Sequence, residues 1–168
     1  MVKIFVFRSI LAPMRTVLPT NNDSIRADDT TDLRYAVRVK DGGGFVFLNN
    51  FENYVVMPDK HHIRLKIKTT KGNMIIPEKG GFTLKSQENL ILPFNLNMDG
   101  VHLNYSTAQL LMKGNDPDYP YYAFFVPEGT KPEFSFSKKD IRSIKNEINA
   151  TITHNHQRWL VDCGEKRI

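Results

Sequence analysis

Arg34-Tyr-Ala-Val-Arg-Val-Lys40 runs into Asp41 and Gly42-Gly43-Gly44, and then into Phe45-Val-Phe-Leu-Asn-Asn50. The first stretch alternates. Tyr35, Val37 and Val39 fall on one side of an extended chain and Arg34, Ala36 and Arg38 on the other, because successive side chains of a strand point to opposite faces. The period is two, whereas a helix would space its apolar residues three and four apart. The glycines supply a turn, and the aromatic and β-branched residues after them supply a second strand. Two such strands around a glycine turn make a β-hairpin, and the chain on either side keeps the same rhythm.

Ile63-Arg-Leu-Lys-Ile-Lys68 is the cleanest alternation, with its apolar set toward a core and its basic set toward water. Lys71-Gly72-Asn73 turns the chain into Met74-Ile75-Ile76, and Pro77 ends that strand because it has no N–H to give to a ladder. Gly80-Gly81 precedes Phe82-Thr83-Leu84. Leu90-Ile-Leu-Pro-Phe94 reads as a buried strand. Asp99-Gly100, a strong hairpin-turn pair, leads into Val101-His-Leu-Asn-Tyr105. Asn115 to Pro120 is a loop, Tyr121 to Val126 an aromatic strand, and Phe134 and Phe136 alternate in a last short strand. Strands separated by turn signals, with no helices between them, predict an all-β fold: an antiparallel, two-layer, β-sandwich-like domain.

The ends read differently. Residues 1–32 form an N-terminal extension and linker, polar and turn-rich over 19–32. Residues 33–137 form the β-rich domain. Residues 138–168 form a tail or the start of a following β domain. Two readings of that tail stay open. Ser137 can cap a short C-terminal helix over 138–148, which places Ile141, Ile144 and Ile148 on one face. Alternatively, Ile148/Ile152 and Trp159/Val161 are the alternating positions of two more strands.

At 168 residues the chain can build one core or two small ones. It is too short for a (β/α)8 barrel, which takes roughly 200 residues or more. Hydrophobic residues make up 40% and charged residues 24%, an ordinary globular mix. The net charge of +5 is spread along the chain, which argues for a solvated basic surface and against nucleic-acid binding. Cys163 is the single cysteine, so no disulfide can form within the chain. No apolar run approaches the ~18 residues of a membrane helix, and Arg8 interrupts the apolar start, so neither a membrane partner nor a signal peptide is expected.

Reactive groups are sparse. Gly42-Gly43-Gly44 lacks the following helix and Lys-Ser/Thr pair of a phosphate loop. His61-His62 would point to opposite faces of a strand. His154 and His156 would share a face, but no third metal ligand is fixed beside them, and no metal or other cofactor is expected. Asp28-Asp29 and Asp116/Asp118 are the nearest approach to paired carboxylates, with Glu52 and Glu128 beside turn signals. Glycoside hydrolysis needs two carboxyls about 5–9 Å apart across a sugar site, and nothing in the pattern arranges that, so no catalytic residue is assigned. Tyr119, Tyr121, Tyr122, Phe124 and Phe125 could stack on sugar rings or pack a sandwich core, and core packing is the commoner use. As carbohydrate contacts, Asn49, Asn50 and Asn95 would accompany Tyr119 and Tyr121, although Asn49-Asn50 could equally close a strand end through bonds to the backbone. Asn104-Tyr-Ser106 and Asn149-Ala-Thr151 fit the glycosylation triplet and are read as chance matches.

Several segments in order carry a resemblance: Leu33-Arg-Tyr-Ala-Val-Arg38; Gly44-Phe-Val-Phe-Leu-Asn-Asn-Phe51; Met57-Pro58 with Ile63 to Ile67; Ile91-Leu-Pro-Phe-Asn-Leu-Asn-Met-Asp-Gly-Val101; Leu103-Asn-Tyr-Ser-Thr-Ala-Gln109; and Phe124-Phe-Val-Pro-Glu-Gly129 with Pro132-Glu-Phe134. Together they resemble the β-rich region that follows the catalytic barrel in bacterial β-galactosidases of glycoside hydrolase family 35. Phe51-Glu52-Asn53 and Gln109-Leu110 depart from that pattern. The resemblance implies a non-catalytic accessory domain, whose partner is the catalytic (β/α)8 barrel of a parent protein and, through it, a β-galactoside or other glycan. It implies that the catalytic glutamates lie in the barrel, that this chain is a fragment or a truncated gene product, and that parent proteins are often periplasmic or secreted. A free-standing carbohydrate-binding module is the main alternative, and an independent enzyme a more distant one.

Overall fold

The structure is a computed structural model that describes residues 8–70, 72–146 and 150–164. The apolar start over residues 1–7, Lys71, and the 147–149 segment with Ile148 and the Asn149 triplet lie outside the described residues. One helical turn, Arg8–Leu11, precedes the first strand.

Among the described residues, eight strands form the main sheet. In chain order they are β1 (Arg15–Val17), β2 (Arg34–Lys40), β3 (Gly43–Asn49), β8 (Asn89–Met98), β9 (Val101–Ser106), β12 (Glu133–Ser137), β13 (Thr151–His154) and β14 (Arg158–Asp162). Across the sheet the order is β1-β2-β3-β8-β9-β12-β14-β13, and every pairing is antiparallel. Three two-stranded ribbons complete the fold: β4 (Lys60–Ile63) with β7 (Phe82–Leu84), β5 (Leu65–Thr69) with β6 (Gly72–Ile76), and β10 (Gln109–Asn115) with β11 (Pro120–Phe125).

The opening hairpin is tighter than a three-glycine turn. Lys40 pairs with Gly43, so the loop is Asp41-Gly42 alone, both at positive φ (53° and 78°), the backbone pattern of a type I′ hairpin. Gly43 and Gly44 belong to the strand. A Cβ on Gly43 would lie 2.3 Å from the Asn95 carbonyl oxygen, and one on Gly44 would lie 1.9 Å from that of Arg38.

Alternation gives the sheet two apolar faces. On one, Val46, Leu48, Leu90, Leu92, Phe94, Tyr105 and Leu160 pack under ribbon residues Ile63, Ile76, Phe82 and Leu84. On the other, Phe45, Leu96, Met98 and Leu103 meet Leu11 and Met14 from the N-terminal turn and Leu110 from the β10–β11 ribbon. β8 serves both faces. Leu90, Leu92 and Phe94 point one way, and two residues on Leu96 and Met98 point the other. The switch is Asn95, at φ 47°, a left-handed conformation in which asparagine is enriched. β9 switches at the same level, where the β12 register slips and leaves Asn104 as the extra residue, the mark of a β-bulge.

The tail corrects one expectation. No helix forms over the described part of 138–148. A single 3-10 turn covers Lys138–Asp140, and Ser137 makes no side-chain cap. Ser137 instead ends β12, Ile141 is extended (φ −129°, ψ 117°), and its carbonyl accepts the Trp159 indole N–H at 3.1 Å. The strand reading holds for β13 and β14, which pair Ile152 with Val161 and His154 with Trp159. In the main sheet, β1 lies within 1–32, and β13 and β14 lie within 138–168. The polar 19–32 stretch is tied down, because Arg34 donates to the carbonyls of Arg26, Ala27 and Asp29 at 2.9–3.1 Å, and Lys60 to those of Thr30 and Thr31.

Candidate functional site

The sequence-derived carbohydrate residues do not form one site. Asn49, at the end of β3, folds its amide onto its own chain: Nδ2 donates to the Phe51 carbonyl at 3.1 Å, and Oδ1 accepts the Phe51 N–H at 3.0 Å. Asn50 is 0% exposed, and its Nδ2 donates to the carbonyls of Pro58, Leu84 and Lys85. A side chain with no surface cannot meet a sugar, so the strand-closing role fits this pair. Asn95 holds the bulge, donating to the Gly42 carbonyl at 2.9 Å. Only the tyrosines face outward. Tyr119 is 62% exposed and Tyr121 43% exposed, both at the β10–β11 end. Tyr121 lies across its register partner Gly114, where a Cβ would sit 2.2 Å from the ring. One ring face thus covers bare backbone, a known use of aromatics opposite glycine.

Three of the candidate carboxylates, Asp28, Asp29 and Glu52, are spent on structure. Asp29 Oδ1 accepts the backbone N–H groups of Asp32 and Thr31 and the Thr31 hydroxyl, which lowers its pKa. Asp28 pairs with Arg26, and Glu52 with Arg34. The N–H of Asp116 closes a turn onto the Tyr119 carbonyl at 2.9 Å. His61 Nδ1 lies 3.2 Å from the Thr83 hydroxyl. His154 sits in β13, while His156 lies beyond it in the connecting turn. Among the described residues no cluster of three His, Cys, Asp or Glu could hold a metal.

The buried acid that sequence reasoning passed over is Glu133, 5% exposed. Its Oε1 accepts the Tyr105 hydroxyl at 2.6 Å and the Glu78 N–H at 2.8 Å, and the same N–H also reaches the Tyr105 oxygen at 3.1 Å. Arg158 Nη2 donates to Glu78 Oε1 at 2.7 Å. Burial, followed by the bond to Glu133, raises the Tyr105 pKa. This knot ties together segments up to 80 residues apart. Oε1 of its key acid is committed to two structural bonds and the residue is 5% exposed, so its chemistry is that of a strut. Only the strand parity of Glu133, opposite in phase to Phe134 and Phe136, could have marked it as inward-facing.

On the second sheet face a run of large apolar residues is only partly covered. Phe134 and Phe136 are stacked, 6.2 Å apart at 3°, and Phe124 meets Phe134 edge-on at 5.0 Å. Register places Trp159 beside Phe136 and Val161 beside Phe134, with His154 and Ile152 next across the sheet. The His154 ring stands edge-on to Trp159 at 4.6 Å, and Lys138 Nζ lies 3.1 Å from His154 Nδ1. An ammonium can only donate, so Nδ1 is the acceptor. Phe124, Phe134, Phe136, Ile152, Trp159 and Val161 are all only half-buried. They form a contiguous aromatic and aliphatic surface. Surfaces of this kind mark binding faces.

The family model described as "Beta-galactosidase, domain 2" matches residues 16–165. The chain belongs to that family. This domain 2 is 25% identical over 119 residues to "Probable beta-galactosidase A" of Aspergillus fumigatus, an alignment that covers 70% of this chain and 12% of the relative. It is 26% identical over 125 residues to "Beta-galactosidase A" of Aspergillus niger, covering 74% of this chain and 12% of the relative. The chain thus matches about an eighth of the length of these relatives. They are fungal, so the resemblance stands at the level of β-galactosidase-type proteins and not of a bacterial group. Domain 2 is an accessory β segment here: its described residues form antiparallel sheets and no (β/α)8 barrel.

Proposed function

We propose that this domain braces the catalytic (β/α)8 barrel of a family 35 β-galactosidase and does no bond-breaking itself. The observation that carries this reading is the half-open face of Phe124, Phe134, Phe136 and Trp159. A domain that lived alone would cover or charge such a face, whereas one that packs on a larger body leaves it for its partner. The opposite face, closed around its buried Glu133 knot, supplies the stability that lets the open face stay rigid. The parent's β-galactoside reaches this domain only at the rim of the barrel.

Mixing the chain with a β-galactosidase barrel lacking its own domain 2 tests this. A 1:1 complex on size exclusion, lost with Phe136→Asp, is expected, together with no turnover of a chromogenic β-galactoside by the chain alone. Turnover by the pure chain that is lost on changing one carboxylate, or no complex with any barrel, defeats the reading.

A second reading has one observation in its favour. Tyr119 and Tyr121 stand exposed on one ribbon, and exposed rings suit stacking on a sugar. Calorimetric titration with galactosides would show saturable binding that Tyr121→Ala abolishes if the domain binds sugar by itself.

A further inference from the structure

The core under the ribbons is tight at one end and opens at the other. Leu33, Val37, Val39, Leu65, Ile67 and Met74 flank the buried cluster but are only partly buried. Between the β5–β6 ribbon and the β1–β2 edge of the main sheet lies a cleft of about 550 Å³. Its walls are Val17, Val37, Val39 and Phe94 from the sheet and Leu65 and Ile67 from the ribbon. That volume and apolar lining are in the range of small-molecule sites, about 300–1,000 Å³.

Its charge is one-sided. Arg15, Lys40, Lys66 and Lys68 all contribute to the lining and are exposed, and among the described residues none of them forms an ion pair. Arg64 is there too, donating to the Glu78 carbonyl at 3.0 Å. Among the described residues that line it, Asp41 is the one acid. Elsewhere on the domain several cations meet acids, Lys85 with Asp59, Lys113 with Asp99, Lys131 with Asp162 and Arg158 with Glu78, and among the described residues the others without an ion pair, such as Lys79, Lys139 and Arg142, do not line this apolar slot. A cluster of cations without such partners around an apolar slot favours an anion with an apolar body.

We propose that the cleft between the β5–β6 ribbon and the β1–β2 edge binds a small amphipathic carboxylate. The hydrocarbon chain lies between Val37/Val39 and Leu65/Ile67, and the carboxylate sits at the rim by Arg15, the register partner of Val39, and Lys40, with Lys66 and Lys68 on the outer side of the ribbon adding to the positive field. This site is separate from the Phe134–Trp159 face and does not depend on the bracing role.

Dodecanoate below its micellar range is the probe, titrated into the full chain by calorimetry and by two-dimensional amide NMR. One-to-one binding is expected, with shifts concentrated in β1, β2, β5 and the Asp41-Gly42 turn. The double variant Lys66→Glu/Lys68→Glu lies on exposed positions that leave the core intact, and it should weaken binding about fivefold or more. Dodecanol, which has the chain without the charge, should bind more weakly by a similar factor. Val39→Trp, which fills the slot, should abolish binding, and Phe136→Ser should leave it unchanged. The proposal is overturned by an absence of saturable binding, by equal affinity for dodecanol, or by shifts confined to the Phe134–Phe136 face.

Discussion

The two faces of the main sheet are built from the same alternation and end in opposite states. On the ribbon side, Leu48, Leu84, Leu90 and Leu92 are sealed, and even the polar groups there, Glu133 and Asn50, are held by neighbours. On the far side, cover extends only as far as Leu11, Met14 and the β10–β11 ribbon, and Phe134, Phe136 and Trp159 stay only partly buried. The first face holds the fold together, and the second is a surface awaiting something to pack on. Hydrophobicity alone does not separate these roles. What separates them is how many short ribbons the chain spends on each face.

The widest test of this contrast sets Leu92→Ala against Phe136→Ala in urea unfolding. Leu92→Ala should cost about 2–5 kcal/mol, since it leaves a cavity in a packed region. Phe136→Ala should cost less than Leu92→Ala, since part of the Phe136 surface is already in contact with water. Equal costs would mean that the two faces are equally closed. Removing the strut comes next. Glu133→Ala strands the Tyr105 hydroxyl proton, leaves the Glu78 N–H only its longer bond to the Tyr105 oxygen, and should cost about 1–3 kcal/mol in the same assay. The bulge sharpens the contrast from the backbone side. Asn95→Ala should cost about 1–2 kcal/mol through its positive φ, while Asn95→Gly should keep most of the stability and lose only the bond to Gly42.

The smallest effect is electrostatic and belongs to the open side. The Lys113 ammonium, then the Tyr122 hydroxyl, lower the pKa of Asp99. A carboxylate whose folded pKa is depressed adds stability that is present above its unfolded value, near 3.9. That stability is lost as pH falls through the folded value. Acid titration of stability should therefore show a slightly shallower decline in Asp99→Asn than in the parent chain, and added salt should erase the difference.

Much of this was legible in the sequence. Tyr35/Val37/Val39 and Phe134/Phe136 announced strands because a period of two is local information. The tail was ambiguous because Ile141, Ile144 and Ile148 fit a helix while Trp159/Val161 fit a strand, and the choice depended on a distant partner, the free edge of β12. The Asp41-Gly42 turn hid behind the longer glycine run, since only the carbonyls of Asn95 and Arg38 reveal why Gly43 and Gly44 must lack side chains. The candidate site was least legible. Asn49, Asn50 and Asn95 are the residue types that bind sugars and equally the types that close strand ends and occupy left-handed bulges, and composition cannot choose between those uses. Glu133 carried no motif at all, because its importance arises from Tyr105 and Glu78, neither of which is near it in sequence.

The crossover at Asn95 also bears on how the domain comes apart. A strand that lends Leu92 to one hydrophobic layer and Leu96 to the other cannot leave either without disturbing both. The ribbons, the sheet and the aromatic flank should therefore melt in a single cooperative step, with backbone circular dichroism and Trp159 fluorescence falling at one shared midpoint.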